Sequence, residues 1–256
     1  MKKLYEKSPL TLTIILIVVY VVGLSLMQRG SAMIGVRFLA EAVFNAILSA
    51  VIIVFVIKNK LTKHFGLCRP GVSAVRMLLY VPLLIIGAVP FFFGMGTEFT
   101  VTEIAIRTAM MIGVGFLEEI IFRGFLFREI EKDSLKQAVI ITSLTFGIGH
   151  VVNLFNGYDI TASIIQITGA IALGFMLVFI FVRTGSLIPC IIFHAFNNSI
   201  SAVSDSHFLV DAVGSQTTAS IITASIQIAA AVAYTLYIVK FVHRAGANTA
   251  ADTDKG

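Results

Sequence analysis

Charge is what this chain has least of. Only 13% of its 256 residues are Asp, Glu, Lys or Arg, where a soluble domain carries about 25%, while 57% are hydrophobic and the mean hydropathy is +0.95. That composition excludes an ordinary soluble domain and implies an all-α polytopic membrane protein. Cysteine is scarce too: Cys68 lies in a basic loop and Cys190 in an apolar run, so neither a disulfide framework nor a cysteine-based metal site follows. No cysteine near the C-terminus offers a lipidation signal. There is no His-Glu-x-x-His segment, no glycine-rich phosphate loop and no serine elbow, and Gly185-Ser186 falls in a turn without a base nearby. Internal repeats and low-complexity tracts are also missing. The net charge of +5 does not point to nucleic acid, because the lysines and arginines fall between apolar runs and not in one patch.

Eight apolar runs are present: Pro9–Met27, Phe38–Ile57, Met77–Phe93, Thr108–Phe127, Ala138–Phe155, Ile164–Val182, Ser186–Ala202 and Ser220–Phe241. They predict a bundle of about eight transmembrane helices forming one domain over residues 1–245, with a disordered tail at 246–256. The first run, preceded by Lys2, Lys3 and Lys7, is long and has no small-residue cleavage site, so it reads as an anchor. Pro82 and Pro90 in the third run are tolerable where neighbouring helices satisfy the freed carbonyls. The short turn Arg183-Thr184-Gly185-Ser186 predicts that the sixth and seventh helices are antiparallel neighbours. Of the 19 Lys and Arg, all but Arg29, Arg37 and Arg107 fall at the termini, in the connectors on the same side, or at the adjoining helix ends. By the positive-inside rule both termini are then expected on the cytoplasmic face of the cell membrane.

The fourth run breaks the apolar pattern with Glu118, Glu119 and Arg123. Each charge at the centre of a span costs about 2.5–3.5 kcal/mol on insertion scales, so the three are tolerable only if they pair or line a wet cavity. At 3.6 residues per turn Arg123 lies one turn after Glu119, while Glu118 points about 100° away. Glu119 is thus the expected partner of Arg123, which leaves Glu118 free as a candidate general base. His150 in the fifth run and the i,i+4 pair His194 and Asn198 in the seventh are further polar groups among apolar neighbours. Measured from the basic helix ends, Glu118 lies about 15 Å deep, His150 about 18 Å, His194 about 12 Å and Asn198 about 18 Å. Three helices therefore place polar groups in one layer.

Such a layer supports peptide hydrolysis. Glu118 with His150 could orient and deprotonate water, and His194 with the Asn198 amide could stabilise the oxyanion. Glu119 and Arg123 would fix the helix and the Glu118 rotamer. A metal version would use Glu118, His150 and His194 as zinc ligands with water in the open position. Two other classes remain open on the residues alone: a proton-coupled transporter, since buried Glu and His also build proton relays, and a non-catalytic membrane scaffold or immunity partner.

Taken in order, Glu118-Glu119-x-x-x-Arg123, Phe146-x-x-x-His150 and His194-x-x-x-Asn198 resemble the three motifs of the CPBP intramembrane proteases, the CAAX prenyl protease type II, bacteriocin-processing or Abi family. The resemblance extends over about Met110 to Ser201. It implies an eight-helix endopeptidase, open toward the cytoplasm, acting on a membrane-associated or prenylated CAAX-type substrate. It also implies water activation by Glu118 and His150, oxyanion stabilisation by His194 and Asn198, and support from Glu119, Arg123 and Phe146.

Overall fold

The computed structural model describes residues 1–244, and the sequence-predicted tail at 246–256 lies outside them. All eight apolar runs are helical. They are α1 (Pro9–Ile34), α2 (Leu39–Lys58), α3 (Val81–Phe93), α4 (Val101–Glu119), α5 (Leu135–Ile148, extended by short turns to Phe155), α6 (Ile160–Thr184), α7 (Ile188–Val203) and α8 (Gln216–Phe241). α4 continues through a π-helical turn, Ile120–Leu126, into Phe127–Glu131. A short helix at Lys2–Lys7 precedes α1, and another at His207–Val213 lies between α7 and α8. Among the described residues α1, α2, α5, α6 and α8 are long and apolar enough to cross a membrane, α3 and α7 are shorter apolar helices, and no strand forms. The chain is an integral multi-pass membrane protein.

Helix ends follow local chemistry. Ser134, Asp159 and Ser215 cap α5, α6 and α8 by accepting hydrogen bonds from the N–H groups of Gln137, Ala162 and Thr218. Thr100 and Glu103 form a reciprocal capping box that starts α4. α4 therefore begins about two turns before its apolar run, at Val101 and not Thr108. The extra turns carry Arg107 and form the end of the helix remote from Arg128 and Lys132.

α4 is the central strut. α7 packs along it on one side and α2 on another, α1 lies against α2, and α3 bridges α7 to α8. α6 packs between α5 and α8. Close approach of α4 to α7 depends on Gly115: a Cβ there would lie 2.6 Å from the backbone nitrogen of Ala195. Small residues let spanning helices approach to backbone contact. Gly115→Val is expected to lower the thermal unfolding midpoint in detergent, since overpacking costs about 1–3 kcal/mol even where side chains can yield. An unchanged midpoint would show that α7 moves aside freely.

α6 and α7 are antiparallel, as the short turn requires, yet they are poor neighbours. They meet near Gly185, where the Cys190 thiol contacts the Leu177 carbonyl at 3.4 Å, and share little of the rest of their length. The turn fixes only one end of the pair, and the two helices splay from it. A strap formed by the connector after α2 holds that closed end. Gly66 O accepts from Leu187 N–H at 2.7 Å, Thr184 O accepts from Gly71 N–H at 2.7 Å, and Ser186 donates to Cys68 O.

Candidate active site

Glu119 and Arg123 are both fully buried and joined at 2.9 Å, the i,i+4 pair expected from the sequence. Arg123 also donates to the Gly174 carbonyl of α6 at 3.3 Å and stacks over the Phe146 ring at 4.1 Å. The pair lies at the entry to the π-helical turn, an irregularity that often marks functional positions in helices.

The same Glu119 oxygen reaches a second helix. His194 Nδ1 sits 2.8 Å from it, and a carboxylate oxygen can only accept there, so Nδ1 carries the proton. That orientation turns His194 Nε2 toward Glu118, 3.5 Å from Oε2. His194 is thus held between two carboxylates.

Glu118 is not free, which corrects the sequence expectation. Its Oε1 accepts a hydrogen bond from the Tyr20 hydroxyl at 2.8 Å, delivered from α1 across 98 residues of sequence. Tyr20 is buried, and helical pairing rules confined to α4 cannot see it. The other oxygen, Oε2, is buried and has no hydrogen-bond partner among the described residues. One oxygen is therefore anchored and the other is available.

His150 occupies the end of α5. Its Nδ1 lies 3.1 Å from the Phe146 carbonyl, an acceptor, so Nδ1 donates and Nε2 keeps its lone pair. Phe146 unites the three motifs: its ring is edge-on to His150 at 5.5 Å and to His194 at 5.6 Å while its face carries Arg123. Asn198, one turn after His194, is partly buried. Its neighbour Asn197 accepts from Gln227 of α8 at 3.1 Å, and Gln227 also donates to Ile86 O of α3. Gln227, Tyr20 and the buried Glu41, which bonds Ser31, are polar groups that motif spacing does not flag. The only signal for each was a polar atom inside an apolar run.

Two cavities of about 400 and 390 Å³ meet at this layer. The first fills the gap between α6, α7 and α8 and is lined by His194. The second lies between α1, α4 and α5 and is lined by Glu118 and Tyr20. Phe146, His150 and Asn198 line both. All four candidate catalytic residues therefore line one or both of two cavities that share these side chains, although Glu118 and His150 make no hydrogen bond to each other.

Both cavities extend from this layer toward the same end of the bundle. The first reaches Asp205, Ser206 and Gln216, and the second reaches Arg107, Asn156 and Tyr158. At the mouth of the first, desolvation pushes the Asp205 carboxyl up, but hydrogen bonds from the His207 ring and backbone N–H outweigh it and hold the group below its usual value. The opposite end, beneath Arg123, is packed with Tyr5, Phe55, Phe65 and Phe125, the last two with ring centroids 4.2 Å apart. Cytoplasmic termini and a site open toward the cytoplasm, both expected from the sequence, do not go together in this fold: the space opens away from the termini.

Among the described residues no three His, Cys, Asp or Glu side chains converge as metal ligands. The Nδ1 atoms of His194 and His150 and Oε1 of Glu118 are hydrogen-bonded to Glu119, the Phe146 carbonyl and Tyr20, so any ion would have to be held by His194 Nε2, His150 Nε2 and Glu118 Oε2.

Comparison with protein families makes the class explicit. Residues 100–200 match the Rce1-like family, described as type II CAAX prenyl endopeptidase Rce1-like. The match covers about two fifths of the chain, and over that part the chain is similar to a family of peptidases. Neither curated proteins nor solved structures give a match. The matched segment holds Glu118, His150, His194 and Asn198, whereas Tyr20, Glu41 and Gln227 lie outside it.

Proposed function

We propose that the chain is an intramembrane endopeptidase that hydrolyses a peptide bond of a membrane-associated polypeptide, the prenylated CAAX type included, using water activated by Glu118. The observation that supports this most directly is the asymmetry of Glu118: Tyr20 fixes Oε1, and the unpartnered Oε2 lies 3.5 Å from His194 Nε2.

Water placed against Oε2 gives up a proton to Glu118 as its oxygen bonds to the substrate carbonyl carbon. The carbonyl π electrons move onto oxygen, and the resulting oxyanion takes hydrogen bonds from the Asn198 amide and His194 Nε2. Because His194 Nδ1 already donates to Glu119, Nε2 can donate only when the ring is an imidazolium. Collapse of the intermediate breaks the C–N bond, and the proton held by Glu118, relayed by the His150 Nε2 lone pair, passes to the leaving amine. Phe146 and the Glu119–Arg123 pair keep both rings in place.

The test uses purified protein in lipid vesicles or detergent with a panel of membrane-anchored peptides, prenylated and unmodified. Cleavage is expected for at least one class and should fall about 100- to 1000-fold in His194→Ala, the usual cost of losing an oxyanion donor. No cleavage of any peptide, or equal cleavage by both proteins, would overturn the assignment. Pattern across the panel then tells whether a prenyl group is required. A transporter would instead move solute with a proton gradient and cut nothing, and a scaffold would lose stability in the variant without any turnover to lose.

A further inference from the structure

The α6–α7 splay, the two cavities and the positions of the cations are separate features of the fold, and together they define a direction. α6 and α7 are stapled at Gly185 by the strap from residues 66–71 and open away from it, with the first cavity filling the gap. The second cavity runs along α4 from Glu118 to Arg107, eleven residues or about 16 Å at 1.5 Å per residue. Both mouths lie among the connectors that follow α1, α3, α5 and α7.

The charges fall at the other end. Lys58 ends α2 and Lys60, Lys63, Arg69 and Arg76 follow it, Arg128 and Lys132 lie between α4 and α5, Lys136 is in the first turn of α5, and Arg183 is in the last turn of α6. These short connectors are the segments whose Lys and Arg content sets orientation in a membrane, and they stay on the cytoplasmic side. Among the described residues the mouth end has only Arg29, Arg37 and Arg107. Of these, Arg37 is matched by Glu103 at 3.6 Å. Beneath the site, on the basic side, the rings of Tyr5, Phe55, Phe65 and Phe125 close the bundle.

We infer that the catalytic chamber takes its substrate from the non-cytoplasmic side of the membrane. This rests on the peptidase assignment above and narrows its substrate class to polypeptides anchored in or delivered across the membrane, with the scissile segment on the outer side. Such a substrate lowers an extended stretch of about five residues, at roughly 3.3 Å each, to cover the ~16 Å from mouth to Glu118. The narrowed class leaves out a lipidated protein presented on the cytoplasmic leaflet, the prenylated CAAX type of the broader assignment among them.

The full-length protein, with Cys68→Ser and Cys190→Ala, is expressed in a bacterial cytoplasmic membrane carrying one new cysteine, at Gln216 or Asn156 for the mouths or at Lys63 for the basic connector. A membrane-impermeant maleimide is applied to intact cells and to opened membranes. Gln216→Cys and Asn156→Cys should label in intact cells, and Lys63→Cys only after opening. The reverse pattern would put the chamber on the cytoplasmic side and overturn the inference. Mouth positions that label only in opened membranes, or in neither preparation, would overturn it equally, as would labelling of all three in intact cells. Peptide cleavage by the same variants in detergent, where sidedness is lost, reports on the peptidase assignment by itself. A failed topology and a failed chemistry are thereby told apart.

Discussion

Arg123→Met should be the most destabilising single substitution in the bundle interior, costing about 3–5 kcal/mol because it leaves the Glu119 carboxylate buried without its cation. Glu119 is fully buried, and its second oxygen already has no hydrogen-bond partner among the described residues, so without Arg123 the His194 ring is the one donor left to the carboxylate there. The loss should be visible as a lower midpoint in thermal or denaturant unfolding of the purified protein in detergent. The double variant Glu119→Gln/Arg123→Met removes both charges and should regain most of that stability, since neutral replacement of a whole buried pair is often nearly free. Its activity should stay low, because His194 Nδ1 then faces an amide in place of a carboxylate. A double variant as unstable as the single one would mean that the pair acts through shape and not charge.

The largest effect on turnover is expected from Glu118→Gln. The amide keeps the size and can still accept from Tyr20, but it cannot take a proton from water, and general-base catalysis is worth about 10²–10⁴ in rate. The fall should appear in kcat with KM nearly unchanged. Tyr20→Phe separates anchoring from chemistry: it deletes one hydrogen bond to a charged group, worth about 1.5–3 kcal/mol or roughly ten- to a hundredfold. Turnover in Tyr20→Phe should therefore be intermediate. Equal rates for wild type and Glu118→Gln would remove the carboxylate from the mechanism, and an unaffected Tyr20→Phe would reduce the hydroxyl to packing.

Much of this architecture was legible in the sequence because lipid leaves the chain few choices. A backbone in hydrocarbon must satisfy its own hydrogen bonds, so eight apolar runs become eight helices. The Glu119–Arg123 pair was equally legible, since its geometry is local to one helix. Tyr20 was not: a tyrosine among aliphatic residues is as often a packed ring as a donor, and its partner is 98 positions away. Nor was the splay of α6 from α7, because a four-residue turn fixes only where two helices meet and not how far they run together. The direction in which the site opens was hidden for the same reason. It depends on which halves of six helices stay apart, and that is settled by contacts such as Gly115 against Ala195 and the Gly66–Leu187 bond.

The first helix looks, in sequence, like a detachable membrane tether for a catalytic segment that starts about ninety residues later. Its tyrosine makes it instead part of the reaction vessel's wall. A proteolytic nick that let this helix drift away would leave every matched motif intact and still silence the enzyme, by flooding Glu118 with bulk solvent and taking its tether with it.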